Sequence, residues 1–446
     1  MTKRTDLRIA ILGAGPAGLS AALALRDNGY RNVTVFEKSG RVGGQSLTEE
    51  YRTPDGRTLV YDMGSMQPGG SRNLFRLLKA NGLTIGRGVL AKKSRVIAVV
   101  NHTKGVEIAN FTKHYFGVPP SKLPALMSDF LKLLPYLWRY RRLSKPGFHG
   151  FQYWDETSVS FTEWLDSKKF RVIRDMLIAL LCNMLTFSNR QLEKDVHAYH
   201  AIKLFFIFLR APVRYVDGAF RQATQGYQEL WKRVARQTDL VLHADLKSIT
   251  REPGGITIAT GDETRQFDRL IVACPTRTLA GVMDTTTAER DVFGPTTACS
   301  GYRIAFLARG GPLDAMYIHF DSYAAGNQPP YLGVVIPEEH AGKDTWLYHG
   351  IFSGCAAVGD PVSHMKSAAE NEFRRSYGGE IVEWVSIRHW PNYAECFPHE
   401  AVTAGVYDKA EALQGQNNTY YAGYLLSFHT HGAAVDYSYD LVKRFF

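Results

Sequence analysis

Apolar and polar positions change period several times along this chain of 446 residues, and each change marks an element. The run Arg8-Ile9-Ala10-Ile11-Leu12 is short and nearly unbroken, as expected of a strand buried on both faces. Beyond a glycine-rich turn, Leu19-Ser20-Ala21-Ala22-Leu23-Ala24-Leu25 favours a helix, and Val33-Thr34-Val35-Phe36 returns to strand. Tyr61-Asp62-Met63-Gly64-Ser65-Met66 reads as a short strand entering a Gly-Ser turn, and residues 73–80 as a helix closed by Gly82. From residue 110 to 215 the pattern is helical and rich in aromatics, with candidate helices at 123–143, 161–165, 171–185 and 198–209. Strand-like alternation resumes at 239–243 and 255–260, and Phe267 to Pro275 reads as a buried strand stopped by proline. Residues 417–423 predict a strand and tight turn, and 432–443 a helix.

The turn after the first strand, Gly13-Ala14-Gly15-Pro16-Ala17-Gly18, carries the first candidate chemistry. In a βαβ unit Gly13 permits the tight turn, Gly15 lets backbone approach a pyrophosphate, and Gly18 allows the helix to pack close on the strand. The open helix N-terminus then faces the phosphates with free N–H groups. Glu37, nineteen residues after Gly18 at the end of the second strand, is placed to accept the ribose hydroxyls of an adenosine. Beyond it, Gly40-Arg41-Val42-Gly43-Gly44-Gln45 supplies a second glycine turn and a cation for the same pyrophosphate, which points to FAD rather than NAD.

Composition narrows the classes. The length suggests two or three domains, and 45% hydrophobic residues describe a chain able to bury sizeable cores. Residues 1–6 precede the first strand with no apolar segment, and no apolar run approaches eighteen residues, so neither a signal peptide nor a membrane span is expected and the protein reads as cytoplasmic. Five scattered cysteines lack the spacing of a disulfide framework, a zinc site or a redox dithiol, so no metal is expected. The excess of ten positive charges suits an anionic partner, but no nucleic-acid motif accompanies it.

Glu37-Lys38-Ser39-Gly40-Arg41-Val42-Gly43-Gly44 resembles the segment by which flavin amine oxidases, phytoene-desaturase-like enzymes and their relatives hold FAD. That resemblance implies a mixed α/β fold: a Rossmann-like FAD-binding domain (1–88, 216–295 and 396–446), a mixed-sheet substrate domain (89–109 and 296–395) and a helical cap (110–215). It also implies FAD contacts from Gly64, Ser65 and Met66, from backbone near Leu246, from Gly423 and Tyr424, and from Ala433 and Ala434 at the start of a helix facing the flavin's pyrimidine edge. Two positions depart from the family pattern: Gln45 stands where a basic residue is usual, and Tyr424 where a glutamate is usual. Within this group the chain is most similar to polyunsaturated fatty acid isomerases, through Tyr61 to Met66, Ser160 to Leu165, and the segments 390–399, 413–428 and 437–446. The resemblance implies hydride abstraction by flavin N5 and return at another carbon of a lipophilic, anionic substrate. An oxidase or dehydrogenase of a lipophilic substrate is the alternative, and a non-catalytic lipid escort a third.

Residues of the substrate half are weighed singly. Lys92, Lys93 and Arg95 fall where those isomerases pair an arginine with the fatty carboxylate, the bland reading being a solvated loop. Phe187 is a candidate wall of an apolar tunnel, or plain core. His429 and His431 precede the last helix and are candidate bases, or histidines holding loop backbone. The segment 121–145 mixes apolar, aromatic and basic residues: a cap helix packed on the next domain is expected, and an interfacial helix touching a membrane is the alternative.

Overall fold

The computed structural model describes residues 5–64, 71–85, 97–101, 107–110, 120–174, 197–209, 223–261, 263–313, 316–319, 331–353 and 361–446. The strand Arg8–Leu12 sits at the centre of a five-stranded sheet in the order Thr419–Tyr421, Arg269–Val272, Arg8–Leu12, Asn32–Phe36, Asp239–Val241. Every pairing in it is parallel, so its central strands are buried on both faces, which is why Ile9, Ala10 and Ile11 are all apolar. On one face the helix Pro16–Asp27 packs beside the helices His431–Phe445 and Tyr227–Ala235, burying Leu19, Leu23, Trp231 and Leu441. On the other face lies a three-stranded antiparallel sheet, Leu246–Glu252, Gly255–Thr260 and Thr264–Phe267, whose Ile256, Ile258 and Phe267 pack towards Phe36.

A seven-stranded mixed sheet forms a second layer, with Thr297–Arg309 paired to Glu380–Cys396 on one side and Thr345–Ser353 on the other. The helix Pro361–Tyr377 covers one face through Met365 and Phe373 against Phe306 and Tyr348. The ribbon Thr48–Arg52 and Thr58–Asp62 covers the other through Leu59 and Tyr61 against Leu307 and Leu347.

The described residues 123–174 and 197–209 are largely helical, while most of the expected helix 171–185 lies outside the described residues; their core is aromatic, with Tyr140, Phe151, Trp154, Trp164, Phe170 and Tyr199 all buried. Lys203 is buried among them, and its ammonium donates to the carbonyls of Leu143 (3.2 Å), Lys145 (3.0 Å) and Gly147 (2.7 Å), so its desolvated charge is met by three acceptors. The helix Leu123–Arg139 continues through Pro135 and packs only one face inward: Leu126, Asp129 and Leu133 are buried. Met127, Leu131, Leu134 and Trp138 are 58–71% exposed, so core packing accounts for one apolar stripe of this segment and leaves a second uncovered.

A buried ion pair joins three of these elements. Arg251, in the strand Leu246–Glu252, makes a bidentate contact to Glu289 (Nη1–Oε1 2.5 Å, Nη2–Oε2 2.7 Å) and donates through Nε to Asp284 (2.7 Å). Glu289 also accepts from the Thr286 N–H, completing a capping box, and from the Tyr421 hydroxyl. Glu289→Ala strands a buried guanidinium and should cost about 3–5 kcal/mol. Urea unfolding of the single variant, and of the apolar double variant Arg251→Met with Glu289→Leu, checks this; the double variant should recover most of the loss.

Candidate cofactor and substrate site

Three turns meet at the carboxyl edge of the parallel sheet, where open α/β folds place ligands. Backbone runs against backbone there. A Cβ on Gly18 would lie 1.9 Å from the Gly13 carbonyl oxygen, and one on Gly64 would lie 1.8 Å from the Gln45 carbonyl oxygen. Only hydrogen fits at either position. Gly15 and Gly44 also face each other closely, a Gly44 Cβ falling 3.0 Å from the Gly15 Cα. Asp62, one turn before Gly64, holds this arrangement: its Oδ1 accepts from the Thr48 hydroxyl (2.6 Å) and the Tyr227 N–H (3.2 Å), and burial pushes its carboxyl up to about 6.

These turns border a cavity of about 580 Å³. Of the residues singled out in the sequence, Gly13, Gly15, Pro16, Ala17, Glu37, Lys38, Arg41, Gly44, Gln45, Leu246, Gly423, Tyr424 and Ala434 line it. Gly18, Gly43 and Gly64 stand behind as close-packed backbone, and Ala433 donates its N–H to the Thr430 hydroxyl that caps the helix His431–Phe445. Ser65, Met66, Lys92, Lys93, Arg95 and Phe187 lie outside the described residues.

The polar groups at the cavity fit a dinucleotide. The helix Pro16–Asp27 has no side-chain cap, so the first-turn N–H groups that every helix leaves open face the cavity beside Gly15. Arg41 donates through Nη2 to the Gly44 carbonyl (2.8 Å), while its buried Nη1 has no hydrogen-bond partner, an unmet donor at the glycine turn. Desolvation holds its guanidinium somewhat below the ordinary arginine range, opposed by the Glu37 carboxylate. An anion bound there would supply the missing acceptor. Gln45, where relatives carry a base, turns its amide to the Tyr393 carbonyl and ties the phosphate loop to the strand Glu380–Cys396. The Glu37 carboxylate is fixed by the N–H groups of Ala14 (2.9 Å) and Ser39 (2.9 Å) and by the Ser39 hydroxyl (2.8 Å), leaving lone pairs for a ribose.

The two histidines separate. His431 is fully buried behind the phosphate loop, with Nε2 2.5 Å from the Ser46 hydroxyl and its ring against Tyr227, and desolvation pulls its pKa down to about 3. It is a neutral packing group outside the cavity lining. His429 Nε2 lies 2.7 Å from the Glu395 carbonyl oxygen and so ties the turn before the last helix to the backbone of the strand Glu380–Cys396.

Trp390, Tyr393, Glu395 and Tyr421 also line the cavity, and no local motif marks them as site residues. Glu395 stands out chemically. It is 8% exposed, its Oε1 has no hydrogen-bond partner, and the Arg277 Nε is 3.7 Å away. Burial pushes its carboxyl up to about 7, with Arg277 pulling the other way. The nearby thiol of Cys274, another lining residue, is pushed up by burial to about 11.

With the geometry in hand, the comparisons fit it. The model of flavin containing amine oxidoreductases matches residues 16–344, and the chain belongs to that family. That family is flavin-containing, and FAD is the cofactor this site is built to take. A CLA-producing fatty acid isomerase from P. acnes has the same fold over 100% of both chains, with a TM-score of 0.82 and 23% identity. The polyenoic fatty acid isomerase of Ptilota filicina is 45% identical over 51 residues, 11% of this chain and 10% of that one. The tryptophan 2-monooxygenase of Pantoea agglomerans pv. gypsophilae is 32% identical over 103 residues, 23% of this chain and 18% of that one. The chain thus spans less than a fifth of the length of these two curated relatives. No described helix is long and apolar enough to cross a membrane.

Two expectations follow. Gly18→Ala and Gly64→Ala should each yield protein with little bound FAD and a stability loss of about 1–3 kcal/mol, whereas Gly254→Ala, with open space around its Cβ, should remain yellow; the flavin-to-protein absorbance ratio reads this out. Because the folded protein holds the Glu395 proton up to about pH 7 while the unfolded chain releases it near 4.5, the stability from this group is complete below 4.5 and lost as pH rises through 7. Glu395→Gln should therefore match wild type in urea unfolding at pH 5 and exceed it by roughly 2–3 kcal/mol at pH 8.

Proposed function

We propose that the protein is a double-bond isomerase of polyunsaturated fatty acids. The observation that carries this reading is full-length agreement of fold with a fatty acid isomerase, supported by the short, high-identity match to a polyenoic fatty acid isomerase. When bound, FAD supplies a hydride acceptor and donor, so bond migration needs no external oxidant.

The chain's own residues have three tasks. Arg41, Glu37 and the open helix N-terminus bind the dinucleotide. The aliphatic and aromatic lining, including Leu425, Leu426 and Phe293, keeps water from a reacting hydrocarbon. The carboxyl of Glu395 remains largely protonated below pH 7, so an unpaired negative charge does not stand beside an apolar substrate or the cofactor. On the family resemblance the carboxylate anchor falls to Lys92, Lys93 and Arg95, and the aromatic content of the chain makes Phe187 a candidate wall for the acyl chain.

The second reading is an oxidase or dehydrogenase, and the match to a tryptophan 2-monooxygenase favours it. Against an amine oxidase stands the sequence 296–306, which opens the second layer and contains no lysine.

Linoleic acid added to the yellow protein in a closed oxygen-electrode cell separates these readings. Conjugated-diene absorbance rising without oxygen uptake supports isomerisation; oxygen uptake or lasting flavin bleaching overturns it. Arg95→Ala should raise KM for the free acid by about 10–100-fold, through loss of a charge-assisted pair, and leave the methyl ester unaffected.

A further inference from the structure

Ten large hydrophobic side chains among the described residues are exposed, and five of them lie on the single helix Leu123–Arg139: Met127, Phe130, Leu131, Leu134 and Trp138. At roughly 100° of rotation per residue, these five fall within an arc of about 100° on one helix face. Exposed apolar residues normally scatter singly over a surface, and a contiguous stripe marks an interaction site. Leu126 and Leu133, just beyond the Phe130 edge of the stripe, are buried in the aromatic core, so the orientation of the stripe is fixed by packing.

Charge on this helix is sorted as well. Its one acidic residue, Asp129, is turned inward and accepts from the N–H groups of Arg171 (3.0 Å), Val172 (2.8 Å) and Ile173 (3.2 Å). Lys132, 3.6 Å from Asp129, and Arg139 lie on the side of the helix away from the stripe, whereas Lys122 and Arg141 are exposed at its two ends. Arg139 pairs with Glu156, and the Arg141 guanidinium lies over the Trp138 ring at 4.4 Å from its centroid. An aliphatic stripe with a lysine at one end and a stacked tryptophan and arginine at the other matches the layering of a bilayer surface: acyl chains, interfacial ring, anionic headgroups.

We infer that the exposed face of the helix Leu123–Arg139 docks the enzyme on an anionic phospholipid bilayer, with Met127, Leu131, Leu134 and Trp138 entering the acyl boundary. Lys122 and Arg141, at the two ends of the stripe, suit anionic headgroups. Docking stands on this helix alone and does not depend on which lipophilic substrate the cavity takes.

The test is flotation of the FAD-loaded protein with vesicles of phosphatidylcholine alone and with added phosphatidylglycerol. Phosphatidylglycerol should strengthen partitioning at least about tenfold at low salt, an advantage that high salt removes. Leu131→Ser combined with Trp138→Ser should weaken binding at least about tenfold while flavin absorbance and melting temperature stay unchanged. Vesicles with brominated acyl chains should quench part of the wild-type tryptophan fluorescence, and this part should vanish in Trp138→Phe, a readout that holds even if the double variant folds poorly. Equal flotation of wild type and double variant, absence of flotation with either vesicle, or a wild-type dimer in ultracentrifugation that the double variant abolishes would each overturn the proposal.

Discussion

The cofactor half depends on backbone packed directly on backbone. Gly18 brings the first helix onto its own entry turn, Gly64 presses against Gln45, and Gly15 faces Gly44, so three separate segments share one small volume at the sheet edge. Any side chain in that volume would push the first helix, the phosphate loop or the strand ending at Asp62 outward. What these contacts secure is position. The unmet Nη1 of Arg41 and the open helix N-terminus converge only because nothing stands between the segments that carry them.

Legibility in the sequence followed the distance between interacting residues. Strand, turn, helix and acid between Arg8 and Glu37 are consecutive and obey local rules, and they form the elements the pattern predicts. The last helix, expected from residue 432, opens at His431, and the strand Arg269–Val272 was legible for the same reason, although the expected run Phe267 to Pro275 breaks at Asp268 and Phe267 belongs to the antiparallel sheet. Glu395 carried no such signal. Its perturbed carboxyl arises from burial after the strand Glu380–Cys396 folds back to the cofactor half, a fact about tertiary packing. His431 had a plausible position in the sequence, two residues from His429, yet one turn of helix separates a packing role from the cavity wall.

The segment 121–145 shows a different limit. Periodicity revealed an apolar helix but could not choose between a stripe facing the core and one facing out. This helix has both, and only the aromatic cluster around Trp164 decides which is covered. Arg251 and Glu289 were equally opaque, since thirty-eight residues and four elements, three strands and a short 3-10 helix, separate the partners.

The parallel sheet draws its strands from residues 8–12, 32–36, 239–241, 269–272 and 419–421, and the helix His431–Phe445 lies along the helix Pro16–Asp27. During synthesis, the nascent glycine turn leaves the ribosome some four hundred residues before Tyr421 and Ala434, which complete the same cavity. The growing chain therefore carries a phosphate cradle with one wall missing and an apolar sheet edge unpaired until residues 419–434 have been made, a long exposure for a fold of such non-local contacts. A complete cavity for a dinucleotide exists only once residues 419–434 have joined the early segments, so a ligand that binds the assembled form stabilises it by mass action.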